Sequence, residues 1–234
     1  MNNVFLAGES IDLCVPEEED FAEWATWFND QGTTQFLEQG KYPNTTQDQR
    51  EFYESSIKAG RFLTLIKSKD EELLGVISLS DIDFEKKKCQ VSYVCPKRTS
   101  KTLLAPLEAL SLVTEHAFLR LGMEKVWAGH AFPGLLKWVQ KTEILGYKTD
   151  GVFPNDFCHG LTVSNAVRTS ITKNRFLVLY EKRGNSLWPG DDIARKILFQ
   201  IKNTESLAEK VSLAIQSIHH EHDQLIEKIE RDVK

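Results

Sequence analysis

The stretch Pro96 to Ala105 (PKRTSKTLLA) gathers the residue types best suited to chemistry. Lys97, Arg98 and Lys101 interleave with Thr99, Ser100 and Thr102, and Leu103-Leu104 close the loop ahead of a long apolar pattern of helical period. A strand, a short loop and a long helix in that order present backbone N–H groups at the positive end of a helix, a natural seat for an anion. Three cations and three hydroxyls beside it would suit a pyrophosphate, and would equally suit an ordinary solvated basic turn. Two histidines are candidate proton acceptors: His130 at the end of a strand pattern, and His159 close to Asp156. Each also fits a satisfied structural histidine. Cys14, Cys89, Cys95 and Cys158 form no Cys-x-x-Cys pair, and His219, His220 and His222 fall in a charged helical stretch. The expectation is reduced thiols and no metal site.

Elements that would position these residues follow from the hydrophobic period. Ile11, Leu13 and Val15 alternate as a short strand, after which Pro16 and the acidic run Glu17 to Asp20 open a helix carrying Phe21, Trp24 and Phe28. A second helix starts at Thr45-Thr46 and stops at Gly60. Residues 61–67 and 73–79 predict a hairpin, and Lys88 to Cys95 a third strand of the meander. Leu107, Leu110, Ala117, Phe118 and Leu121 then mark a long helix stopped by Gly122. Pro106 suits the first helical position, with Ala105 near the cap. A strand at 125–131, a helix at 134–145 and a final strand at 175–182 complete the series; 152–174 has no clear pattern. The layout is α/β (α+β), one mixed sheet with helices on its faces. Residues 1–184 form the main domain, and 185–234 a linker plus a helical extension. Leu207, Val211, Ala214, Ile218, Leu225 and Ile229 keep near-heptad spacing there. That stripe needs a partner, either the domain itself or a second subunit in a homodimer.

Composition narrows the class. The 234 residues carry a net charge of −5 with 41% hydrophobic and 27% charged residues, a balance that buries a core and argues against a nucleic-acid-binding surface. Apolar runs fall far short of the ~18 residues a membrane span needs. No basic-then-apolar leader is visible, so a cytoplasmic location is expected.

Leu107-Glu108-Ala109-Leu110, Glu115-His116-Ala117-Phe118 and Leu121-Gly122-Met123-Glu124-Lys125-Val126 follow in an order that resembles the GNAT superfamily of acyl-CoA-dependent N-acyltransferases. The subgroup of ribosomal-protein alanine acetyltransferases is the most similar. Gly8 to Leu13, Trp27-Phe28-Asn29-Asp30, Leu74-Gly75-Val76-Ile77 and Leu145-Gly146-Tyr147 with Gly151 fall where that subgroup has similar residues, over about residues 8–182. The resemblance implies a twisted mixed sheet splayed at its centre and acyl-CoA as cosubstrate. It places the diphosphate on the loop before the long helix, and so implicates Lys97, Arg98, Thr99, Ser100, Lys101, Thr102, Leu103 and Leu104. The pantetheine would run along the strand end at Val94 and Cys95. Amides from Tyr93 to Cys95 would orient the thioester carbonyl, with Cys95 as nucleophile a variant and His130 as a base acting through water.

The chain also departs from the family pattern. Leu104 and Pro106 stand where the loop usually has small residues, and Gln90 stands where relatives often carry a glutamate base. Lys141-Thr142-Glu143 lacks the tyrosine that usually protonates the leaving thiolate, and Ala131-Phe132-Pro133 lacks the usual asparagine. Attack on a thioester needs a neutral amine. A lysine amine is neutral about once in ~10³ at pH 7, an α-amine about once in ~7. A site without a strong base therefore favours a weakly basic amine. An amino sugar, carried on a nucleotide, is the expected acceptor, with a protein α-amine as the alternative and a non-catalytic acyl-CoA-binding or partner-binding relative as the rival of another class. Trp27, Phe28, Gln90 and Phe153 are the expected acceptor contacts, with Trp24, Phe36, Tyr42 and Phe157 nearby in the chain.

Overall fold

A computed structural model describes residues 3–97, 102–159, 161–202 and 204–233. Eight strands form one sheet: β1 (Val4–Ala7), β2 (Ile11–Cys14), β3 (Phe62–Ser68), β4 (Leu73–Asp83), β5 (Lys88–Val94), β6 (Lys125–Phe132), β7 (Lys148–His159) and β8 (Thr162–Thr172). Their order across the sheet is β1-β2-β3-β4-β5-β6-β8-β7, antiparallel except between β5 and β6. That parallel step requires a crossover, which is α4 (Ala105–Leu119). The sheet and helices have the architecture expected from the sequence.

Two cores lie on opposite faces of the sheet. Leu107, Leu110, Val113 and Phe118 of α4 pack on Leu13, Ile66, Ile77, Leu79 and Val91 on one side. On the other, Phe21 and Trp24 of α1 (Asp20–Trp27) pack with Leu63, Leu65 and Val76. A short α2 (Gln31–Thr34) and then α3 (Thr46–Lys58) follow α1. The N-terminus of α3 is held by a capping box between Thr45 and Asp48, as the Thr45-Thr46 signal implied. Beyond β6, α5 (Leu136–Thr142) and a 3-10 turn, Glu143–Leu145, end at Gly146, whose φ of 90° a glycine adopts without strain.

Two expectations need correction. Residues 175–182 belong to a helix, α6 (Lys173–Lys182), not a strand. A strand would put Phe176, Val178 and Tyr180 on one face, yet Phe176 is fully buried and Val178 is 66% exposed. The last strands are instead β7 and β8, in the stretch without a clear sequence pattern. Pro106 is the second residue of α4, with Leu104 at the cap, one step earlier than expected. The segment 185–192 packs on the domain: Leu187 and Trp188 are buried, the Leu187 N–H donates to Glu115 Oε1 at 2.6 Å, and the Trp188 indole donates to Glu9 Oε2 at 3.2 Å.

The first part of the tail packs on the domain. α7 (Asp191–Ile201) and the start of α8 (Leu207–Val233) dock on the domain. Gln140 Nε2 donates to the carbonyls of Ile201 and Thr204, and Ala208 is buried with Val139 and Val167. Farther along α8, Ile218, Leu225 and Ile229 are exposed. Among the described residues, no helix is long and apolar enough to cross a membrane.

Candidate active site

The site begins where β5 and β6 part. They pair only at Lys88–Lys125, Cys89–Val126 and Gln90–Trp127, although both continue well beyond. Past Gln90, alternate β5 residues therefore aim backbone N–H and C=O groups into a wedge rather than at a neighbouring strand. The Tyr93 ring stands there, 4.8 Å from the Trp138 ring of α5. Gly75 lets β4 run close against the end of β5, where an added Cβ would collide with the Val94 carbonyl.

A cavity of about 770 Å³ opens on the α1 face of the sheet at this wedge. Its floor is the sheet, with Ser78 of β4, Gln90, Ser92 and Val94 of β5, and Trp127 and Gly129 of β6. One wall is α1 and the loop 36–44; the other is β7 and β8, with Asp156, Phe157 and Arg168. The walls are tied together, because His159 Nδ1 lies 2.8 Å from the Leu37 carbonyl. His159 is thus committed to the wall, and Asp156 meets Arg168 at 3.5 Å.

Of the residues singled out from the sequence, Tyr93, Val94, His130, Phe28 and Gln90 line this cavity, as do Trp24, Phe36, Tyr42 and Phe157. His130 Nε2 lies 3.1 Å from Thr169 Oγ1, and burial pushes its pKa down to about 4. It stays neutral at pH 7 and is a weak base. Trp27 is buried against the α1 core and borders a separate, smaller pocket with Pro96 and Lys97. Phe153 lies under Arg168, its ring centroid 4.4 Å from the guanidinium carbon. Cys95 is buried in the α4-side core, its Sγ 3.9 Å from the Lys97 carbonyl.

The loop before α4 is described only in part, since Arg98, Thr99, Ser100 and Lys101 fall outside the described residues. Lys97 Nζ is 2.5 Å from Glu23 Oε1 of α1 and 3.9 Å from Glu72. Thr102, Leu103 and Leu104 form the turn into the helix. That turn uses its own donors: the Ala105 N–H binds the Thr102 carbonyl, the Leu107 N–H binds the Leu104 carbonyl, and Pro106 has none. An anion here would draw on the loop's cations, hydroxyls and amides more than on the helix's first turn.

Sequence reasoning missed Arg61 and Arg168, both in the cavity wall. Arg61 directly precedes β3, and its Nε–H donates to Ser78 Oγ at 3.2 Å. Arg168 sits opposite Gly129 and lies over Phe153 and Trp127. The one available signal was a lone arginine in each apolar strand pattern, and the β8 pattern was not legible. Among the described residues, no group of three His, Cys, Asp or Glu could hold a metal ion.

A mixed sheet, splayed where a crossover helix follows a cationic loop, defines an acyltransferase of the GNAT type. The model of the acetyltransferase (GNAT) domain matches residues 12–132, and the chain belongs to that family. It is an acyl-CoA-dependent N-acyltransferase that moves an acyl group to an amine. Spermidine N-acetyltransferase from Vibrio cholerae, solved with CoA and spermine, is similar over 72% of this chain and 98% of its own, at 14% identity and a TM-score of 0.63. An acetyltransferase from T. thermophilus is similar over 76% of this chain and 93% of its own, at 20% identity and a TM-score of 0.61. At such identities these likenesses speak for the fold. No curated protein sequence matches the chain.

Proposed function

We propose that this chain acylates a weakly basic primary amine, an amino sugar first of all and one carried on a nucleotide in particular. The observation that carries the reading is the absence of an effective base along the described cavity floor. Gln90 and Ser92 are neutral, and His130 is held neutral by burial. A strongly basic amine would be almost wholly protonated there at pH 7, whereas an amine on a sugar ring, flanked by electron-withdrawing oxygens, would not.

The acyl-CoA thioester lies in the wedge beside Tyr93 and Val94, and backbone N–H groups of β5 polarise its carbonyl. The diphosphate rests on the loop from Lys97 to Leu104. The amine enters from the cavity over Gln90, attacks the carbonyl directly, and loses its proton to water in the cavity as CoA leaves as thiol. Cys95 plays no covalent part, since its sulfur is buried in the opposite core.

Thiol release from acetyl-CoA, followed across amines of graded pKa and across pH, tests this. Amino sugars and peptide α-amines are expected to react well at pH 7, and spermidine only as pH approaches its amine pKa. Equal rates for spermidine and an amino sugar at pH 7 would overturn the reading.

A further inference from the structure

Sheet register places two arginines on the cavity side. Leu63, Ser78 and Ser92 are directly opposed across β3, β4 and β5, so they share one face. Arg61, two residues before Leu63, points the same way. Ser80, Gln90, Trp127 and Ser170 form the next row across β4, β5, β6 and β8. Arg168, two before Ser170, shares that face. Four strand spacings separate Arg61 from Arg168, roughly 19 Å at the backbone, with Gln90 and Trp127 on the floor between them.

Neither guanidinium is fully neutralised by the protein. Arg61 is half-buried, and among the described residues it has no carboxylate within ion-pair distance; it meets the Ser78 hydroxyl and the Phe52 ring, and feels Asp81 only at longer range. Keeping a cation there without a paired acid costs solvation that a ligand's charge would return. Arg168 meets Asp156 only at 3.5 Å, while Phe153 and Trp127 fix its plane. Opposite Arg168 in the ladder, a Cβ built at Gly129 meets nothing within 4 Å, so the cavity floor there is open. The cavity walls carry three cations, Lys41, Arg61 and Arg168, against two acids, Glu38 and Asp156, in a protein of net charge −5.

We propose that Arg61 and Arg168 are two separate oxyanion seats on one cavity, each suited to a phosphate or carboxylate on the same molecule as the amine that is acylated. This rests on the acceptor site assigned above and adds the charge class of its substrate: anionic amines are accepted and polycations turned away. The fork of an arginine matches either oxyanion with two parallel hydrogen bonds.

Calorimetric titration in the presence of CoA tests it with glucosamine, glucosamine 6-phosphate, glycylglutamate and spermidine as probes. Glucosamine 6-phosphate is expected to bind at least tenfold more tightly than glucosamine, corresponding to one charged hydrogen-bond pair, and spermidine least tightly. The glycylglutamate arm separates carboxylate from phosphate recognition. The double variant Arg61→Gln, Arg168→Gln should erase most of that preference, and one of the two single variants should account for most of the loss, while CoA affinity stays unchanged. Added salt should weaken phosphate binding to the wild-type protein, a readout that needs no variant. Equal binding of glucosamine and its phosphate, tighter binding of spermidine, or a double variant that keeps the preference would each overturn the proposal. Parallel thiol-release assays separate the two readings. Selective anion binding without turnover of any amine would sink the acceptor reading and leave the anion site standing.

Discussion

Replacing Glu108 by Gln should make the protein more stable at pH 8 and remove part of its pH dependence. Glu108 sits in the first turn of α4 and is 1% exposed. Its carboxylate receives the backbone N–H groups of Glu9 and Ser10, so it holds the β1–β2 turn against the helix. Gly8 is required there, because an added Cβ would run into the Glu108 carboxylate. Burial raises the Glu108 pKa to about 7 against the opposing pull of the Ser10 and Glu9 N–H groups. With a folded pKa above the unfolded one, the folded chain keeps a proton that the unfolded chain gives up. The favourable contribution is therefore whole below about pH 4.5 and lost as pH rises through 7. A displacement of about 2.5 pK units corresponds to about 3 kcal/mol. Glutamine cannot ionise, and its carbonyl oxygen can still accept both N–H groups. Urea unfolding of both proteins at pH 5, 6.5 and 8 measures the difference. Glu108→Gln should match wild type within about 1 kcal/mol at pH 5 and exceed it by about 3 kcal/mol at pH 8, some 10 °C in Tm for a chain of this size. His130, with its pKa pushed down to about 4, contributes in the opposite sense, its stability whole above about pH 6.5 and lost as pH falls through 4. That contribution is common to both proteins and cancels in the difference. A difference independent of pH, or a variant less stable than wild type at pH 8, would refute the argument.

Three further outcomes are expected. Lys101→Glu should weaken CoA binding about tenfold or more in a calorimetric titration by setting a negative charge at the diphosphate; unchanged affinity would remove that loop from the donor site. Tyr147→Phe should cost about 1 kcal/mol in urea unfolding, since the buried hydroxyl lies 2.8 Å from Thr114 Oγ1 and Thr114 keeps its 2.6 Å bond to the Leu110 carbonyl. Ending the chain after Ser217 should leave unfolding free energy within about 0.5 kcal/mol of wild type, because Ile218, Leu225 and Ile229 are exposed and Ala208 remains docked; a larger loss would show that the distal half of α8 supports the domain.

Local pattern was enough for much of the molecule. The apolar runs of β3 and β4 with a charged turn between them, the alternation in β5, the capping residues of α3 and the glycine stop after α4 are short-range signals, and each led to the element the structure contains. The cationic loop between β5 and α4 was legible for the same reason, since residue type and neighbouring period suffice to find it. The β7–β8 pair was not. Its strands carry polar residues on both faces because one face lines a cavity and the hairpin end is exposed, so the two-residue period is blurred. α6 misled because Phe176, Leu177, Leu179 and Tyr180 are apolar enough to read as strand until something packs on them.

By itself, the sequence determined the kinds and order of most elements from β2 to β6, the loop that precedes the crossover helix, and the neutral Gln90 in place of an acid. Tertiary structure alone decided that Arg61 and Arg168, 107 positions apart in the chain, share one face of one cavity, and that Glu108 is sealed under the β1–β2 turn. Charge and residue type belong to the chain, whereas solvation and electrostatic partners depend on what strand register and helix docking bring alongside.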